Sequence, residues 1–164
     1  MKSVSPDGVK SYEKVEINNE GAECYAALDE QGNIISYAVS TSAKGYGGAI
    51  KVMTGISAAD GSVIAVSVYD NSDETPGLGA KTSEEKFCGQ FSEVGNEALK
   101  EKASSSEKFK GAADSGFVVA KDADKYPDNK SVDAVTGATI SSRAVVSAVN
   151  EALEIYRSVI GGAE

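Results

Sequence analysis

Hydroxyl residues crowd the stretch Ser131-Val132-Asp133-Ala134-Val135-Thr136-Gly137-Ala138-Thr139-Ile140-Ser141-Ser142, directly ahead of a periodic apolar run. Two chemistries are open to them. Thr136, Thr139, Ser141 and Ser142 are each good helix N-caps and Gly137 allows a turn, so the stretch reads as an ordinary helix start. A helix start also presents free backbone N–H groups and a partial positive charge, which makes it a natural seat for phosphate. A threonine hydroxyl placed there is able to bind a phosphate or to be esterified by one. The small pair Gly137-Ala138 leaves room for the phosphate to approach the backbone.

The elements that must position this stretch can be read from periodicity. From Ser141 to Ile160, the residues Val145, Val149, Ala152, Leu153, Tyr156, Val159 and Ile160 fall on one face of a helix. Upstream, strands are expected at 23–28 and 34–40 around the turn Asp29-Glu30-Gln31-Gly32-Asn33, and at 50–57 and 63–70 around Ala59-Asp60-Gly61. A glycine-rich break, Gly45-Tyr46-Gly47-Gly48, separates the two hairpins. Residues 71–81 form a loop containing Glu74-Thr75-Pro76-Gly77-Leu78-Gly79. Residues 83–91 read as helical, with Phe87 and Phe91 at i, i+4. Residues 93–113 are charged and serine-rich and read as a surface excursion. A short strand is expected at 117–120 and a polar, turn-rich stretch at 122–130. Strands first and a long helix last predict an α+β fold, an antiparallel sheet of hairpins packed against a C-terminal helix and shorter helices.

Composition removes several function classes. The 164 residues suit one domain with a real core. With 25 acidic and 16 basic residues the chain carries a net charge of −9, which disfavours nucleic acid and anionic lipid as partners. There is no histidine, hence neither the commonest general base nor the commonest transition-metal ligand. Cys24 and Cys88 are too few and too far apart for a paired-cysteine metal site, and read either as one disulfide or as two buried thiols. Asp122, Asp124 and Asp128 lack the glycine and distal glutamate of a calcium loop and read as a solvated turn. No metal site is expected. No apolar run is long enough to span a bilayer.

The run Asp133-Ala134-Val135-Thr136-Gly137-Ala138-Thr139 resembles the flavinylation motif D-x-x-[S/T]-G-A-T of FMN-binding domains in bacterial respiratory complexes. Two further blocks agree with it. Gly45-Tyr46-Gly47-Gly48 followed by the strand from Ile50, and Glu74-Thr75-Pro76-Gly77-Leu78-Gly79-Ala80-Lys81, resemble segments of the G subunit of the Rnf electron-transport complex. They resemble the C subunit of the sodium-pumping NADH:quinone reductase less closely. The likeness runs from about Gly21 to Ile160.

The resemblance implies that a separate flavin transferase, using magnesium, moves FMN from FAD onto the hydroxyl of Thr139. It makes Asp133, Thr136, Gly137 and Ala138 the residues recognised around the acceptor. It implies an electron relay, not catalytic alone, in which no residue acts as acid, base or nucleophile during turnover, and whose partners are the membrane subunits of an ion-translocating ferredoxin:NAD oxidoreductase. The domain would lie at the cell membrane, on its extracytoplasmic side. Residues 1–20 are then a lead-in, the linker from a removed membrane anchor, and 21–164 the FMN-binding domain. The C subunit of the quinone reductase and a soluble FMN relay are the alternatives within this class. A binding module without flavin is the alternative outside it.

The other blocks have two readings each. Gly45–Gly48 is a simple bend or a place where backbone approaches a flat ring, with Tyr46 beside it. Thr75-Pro76-Gly77 is a type II turn, or a loop whose hydroxyl and N–H groups, with Glu74, meet a ring edge while Leu78 packs on the ring. Lys130 is an exposed lysine before a helix, or a partner of the flavin phosphate.

Overall fold

The structure, a computed structural model, describes residues 1–92 and 116–161. Alternating apolar residues build the sheet. Strands β1 (Ser11–Val15), β2 (Glu23–Leu28), β3 (Ile34–Lys44), β4 (Ala49–Ser57) and β5 (Val63–Asp70) form one antiparallel meander in chain order. The period of two turns Cys24, Val39, Ile50, Val52, Ile56 and Val66 to one buried face. Helix α2 (Thr139–Gly161) covers that face with Val145, Val149, Ala152, Leu153 and Tyr156. Val145, Val149 and Leu153 each contribute about 1.5–3 kcal/mol on burial. Two contacts fix the helix on the sheet. Tyr37 meets Tyr156 edge-on at 5.5 Å, and the Thr41 hydroxyl donates to the Ala148 carbonyl at 2.9 Å. The expected α+β class and the strands near 34–40, 50–57 and 63–70 are present.

A second, smaller layer delivers the motif to the helix start. Helix α1 over residues 85–92 buries Phe87 and Phe91. Phe91 meets Phe117 edge-on at 5.1 Å. Phe117 begins β6 (Phe117–Val119), which pairs in parallel with β7 (Lys130–Val132). The Asn150 side chain clamps β6 to α2, accepting from the Phe117 N–H at 2.7 Å and donating to its carbonyl at 2.9 Å. Gln90 does the same for the residue after β7. It accepts from the Asp133 N–H at 2.7 Å and donates to the Asp133 carbonyl at 3.2 Å. The chain entering α2 is therefore held from both sides.

Several local expectations change. Residues 11–15 form the outer strand of the sheet, and Val4 is buried with its carbonyl in the space that the missing Cβ of Gly55 leaves. The Gly45–Gly48 segment is the turn of one continuous meander, closed by the Gly45 N–H on the Gly48 carbonyl at 2.7 Å, because β3 runs on to Lys44. Helix α2 begins at Thr139, two residues earlier than its apolar stripe. The segment 93–113 lies outside the described residues. Cys24 and Cys88 are buried, separate thiols, and burial pushes the Cys24 thiol up to about 11.

Candidate functional site

The start of α2 distributes its hydroxyls unequally. The Ser142 N–H donates to the Ala138 carbonyl at 2.9 Å, the first helical bond, so Ala138 holds the cap position and Thr139 is the first helical residue. Thr139 is thus not the cap, and no side chain caps the helix in the usual way. Ser142 turns back instead. Its hydroxyl accepts from the Val135 N–H at 3.0 Å and donates to the Ala138 carbonyl at 2.9 Å, tightening the turn before the helix. Ser141 donates to a carboxylate oxygen of Glu74 at 2.5 Å. Both serines are buried and committed. Among the described residues, neither Thr136 nor Thr139 has a hydrogen-bond partner for its hydroxyl. Thr136 is exposed and Thr139 half-buried. Gly137 makes the turn between them at φ +78°, in the left-handed region that favours glycine.

Glu74 ties three segments together. One carboxylate oxygen accepts from Ser141 at the start of α2, and the other accepts from the Gly47 N–H at 2.9 Å. The residue is 4% exposed. Burial pushes its pKa up. The Ser141 hydroxyl and the N–H groups of Gly47, Gly48 and Tyr46 more than offset that, so the carboxyl stays below its ordinary range and is an anion at neutral pH. The glycines around it are dictated by space. A Cβ on Gly45 or Gly79 would collide with the Glu74 carboxylate, and one on Gly47 with the Asp73 carbonyl. Only backbone stripped of side chains can close round this carboxylate so tightly.

Glu74, Thr75, Leu78, Tyr46, Gly137, Ala138 and Thr139 thereby line one open cleft of ≈ 640 Å³. Its rim is apolar, with Tyr46 71% exposed, Leu78 43% and Ile140 52%. Gly77, at φ +76°, completes the turn in which the Leu78 N–H donates to the Thr75 carbonyl at 3.1 Å and presents Leu78 to the cleft. Asp133 and Thr136 line a second cleft of ≈ 590 Å³ on the other side of the turn, with Lys81, Lys86 and Gln90. Gly137 borders both clefts. Lys130 is not among the residues lining either cleft. Its ammonium lies 5.7 Å from the centre of the Phe117 ring.

Sequence reasoning missed Lys121, Ile140, Ser141 and Gly79 in this site. Lys121 borders both clefts and, among the described residues, is the one cation lining the ≈ 640 Å³ cleft. The 3₁₀ turn Ala120–Lys125 that carries it is fastened to α2 by Arg143, whose Nε and Nη2 donate to the two Asp122 carboxylate oxygens at 2.7 and 2.9 Å. A polar stretch far along the chain carried no signal of that placement. Ser141 and Gly79 carried no signal either, because Ser141 lies 67 residues from Glu74 in sequence and only the fold brings the two together. Among the described residues no cluster of three or more Cys, Asp or Glu is set to hold a metal ion, and no helix is long and apolar enough to cross a membrane.

An apolar-rimmed cleft that runs onto an uncapped helix start suits a ligand with a flat ring and a phosphate. The family model for the FMN-binding domain matches residues 45–154, which include every residue lining that cleft. The chain belongs to the FMN-binding domain family. Within it, the chain is 37% identical over 145 residues to the G subunit of the proton-translocating ferredoxin:NAD(+) oxidoreductase complex of Clostridium ljungdahlii, covering 88% of this chain and 65% of that protein. It is 36% identical over 132 residues to the G subunit of the Na(+)-translocating ferredoxin:NAD(+) oxidoreductase complex of Acetobacterium woodii, covering 78% of this chain and 52% of that protein. It is 30% identical over 160 residues to the G subunit of the ion-translocating oxidoreductase complex of Methanosarcina acetivorans, covering 94% of this chain and 71% of that protein. The chain thus spans about half to two thirds of the first two relatives. The fold is shared with the C subunit of the Na(+)-translocating NADH-quinone reductase of Parabacteroides distasonis, at TM-score 0.58 and 18% identity over 90% of this chain and 76% of that one.

Proposed function

We propose that this chain is an electron-relay domain carrying FMN through a phosphoester to Thr139. One observation supports the choice of atom above the others. Of the hydroxyls at the start of α2, Ser141 and Ser142 are buried and bonded within the fold, Thr136 faces the second cleft, and Thr139 alone lies uncommitted in the apolar-rimmed cleft. Attachment is a group transfer from FAD. The Thr139 oxygen attacks the flavin-side phosphorus, the bond to the bridging oxygen breaks, AMP leaves, and the hydroxyl proton passes to solvent. In this reading a flavin transferase supplies the catalysis; the carboxylate lining the cleft, Glu74, is already bonded to the Ser141 hydroxyl and the Gly47 N–H.

When bound, FMN supplies the capacity to accept and release electrons. The chain's own residues hold and shape the surroundings. The N–H groups of Thr139, Ile140 and Ser141, which precede the first helical bond, would hold the phosphate at the positive end of the helix dipole. Lys121 adds a cation at the same cleft. Tyr46, Leu78 and Ile140 offer apolar surface to the ring, and Thr75 offers a hydroxyl at its edge. The covalent bond keeps the ring at an open site from diffusing away and raises its concentration near partner subunits. By likeness to the G subunits, those partners are the other subunits of an ion-translocating ferredoxin:NAD(+) oxidoreductase. In the same reading the domain lies at the cell membrane, on its extracytoplasmic side. Co-expression with a flavin transferase, followed by denaturation and peptide mass mapping, tests the assignment. The expected result is one FMN on the peptide containing Thr139 and none on Thr139→Ala.

A further inference from the structure

Resting on the flavin reading above, we infer that Glu74 is a positioning residue whose buried negative charge holds down the reduction potential of the flavin in the Thr139 cleft. Its loop suggests a ring ligand, but the geometry assigns Glu74 another task. Both carboxylate oxygens are already taken, one by Ser141 at 2.5 Å and one by the Gly47 N–H at 2.9 Å. It acts on the cleft through what it holds. The glycine turn carries Tyr46, the Thr75 loop carries Leu78, and the start of α2 carries Thr139 and Ile140.

The charge itself is the second part. Glu74 and Lys121 are the two charged residues lining this cleft, and they differ in exposure. Lys121 is exposed, so water and salt screen it. Asp73, whose carboxylate abuts Gly48, is exposed as well. Glu74 is buried, and its field is screened much less. A carboxylate in such a place is ordinarily neutralised or paired with a cation. Among the described residues only the Ser141 hydroxyl and backbone N–H groups compensate it, so a net negative charge is retained under the cleft. Reduction adds electrons there, which that charge opposes. Two electrons and the proton that accompanies them come from the redox partner and solvent, so the balance needs nothing from Glu74.

The conservative change is Glu74→Gln, which keeps the shape and an acceptor oxygen and removes the charge. The flavinylated proteins would be compared by spectroelectrochemistry. The expected result is a more positive midpoint potential, by about a tenfold change in the oxidised-to-reduced equilibrium, or about 30 mV for a two-electron couple. Glu74→Asp, which keeps the charge, should lie closer to the wild type. A Glu74→Gln potential equal to wild type, or an equal shift in Glu74→Asp, overturns the inference. If Glu74→Gln does not fold, Ser141→Ala carries the test. Withdrawing that donor leaves the carboxylate less compensated and should move the potential negative; no shift overturns the inference. A wild-type chain that takes up no flavin from the transferase instead overturns the functional reading on which this one rests.

Discussion

The turn at Gly137 divides two clefts of similar size and different character. On one side Thr139 faces exposed Tyr46, Leu78 and Ile140 above a buried anion. On the other, Thr136 and Asp133 face Lys81, Lys86 and Gln90. One seven-residue motif therefore presents half of itself to a cleft lined by a single lysine, Lys121, and half to a cleft lined by three, Lys81, Lys86 and Lys121, over Phe87 and Val135. Under the function proposed above the two sides have two uses: the Thr139 side would house the flavin, and the Asp133 side would be what a modifying enzyme reads.

Substitutions on the two sides should separate these uses. The largest effect is expected for Thr139→Ala, which should abolish the adduct while changing stability by no more than about 0.5 kcal/mol, since Thr139 neither caps the helix nor bonds internally. Thr136→Ala should slow flavin attachment without moving its position or the spectrum of the attached flavin. Equal loss in both variants, read by intact mass, would erase the distinction between the clefts.

Next in size are the glycines that close round Glu74. Gly79→Ala should destabilise by about 1–3 kcal/mol, because its Cβ meets the Glu74 carboxylate and Ser141. Gly77→Ala meets no neighbour, so its cost comes from the positive φ alone, about 1–2 kcal/mol. Denaturant melts of both variants check this ordering.

Acid should weaken the wild type more than Glu74→Gln. The Glu74 carboxyl is held below its ordinary value of 4.5 in the folded state. Its contribution is therefore fully present above the unfolded value and is lost as pH falls through the lower folded value. The difference in stability between wild type and Glu74→Gln should be constant from neutral pH to about 5 and shrink below 4.5. A difference that stays constant into acid would show that the charge contributes nothing.

The smallest effects concern the ring and the thiols. Thr75→Ala and Leu78→Ala should shift flavin absorbance and potential while leaving the bond intact. Unchanged spectra in both would place the ring elsewhere. Replacing Cys24 and Cys88 with serine should leave the adduct untouched, since both thiols are buried away from the cleft. The stability cost should be about 1–3 kcal/mol at Cys24, where the new hydroxyl is unpaired, and smaller at Cys88, whose thiol already donates to the Thr82 carbonyl at 3.2 Å.

What can be read from sequence follows the range of the interaction that sets each feature. The alternation in β3, β4 and β5 and the stripe of α2 are local and legible. Strand β1 is not, because its residues are mostly half-buried or exposed and lack an apolar period. The parallel pairing of β6 with β7 joins three-residue strands across an intervening turn, which no local pattern announces. Within the site, the Asp133–Thr139 run gives away the helix start and its candidate acceptor. Lys121 escapes because only the Asp122–Arg143 ion pair brings its turn against α2. The enclosure of Glu74 is not legible in sequence, since it depends on Gly45, Gly47 and Gly79, drawn from two separate loops.

The central claim is that the flavin hangs from one oxygen. The direct measurement is peptide mass mapping of the wild-type chain after co-expression with a flavin transferase and denaturation. The account predicts a single FMN on Thr139. An adduct on Thr136, Ser141 or Ser142, or one that survives in Thr139→Ala, would contradict it.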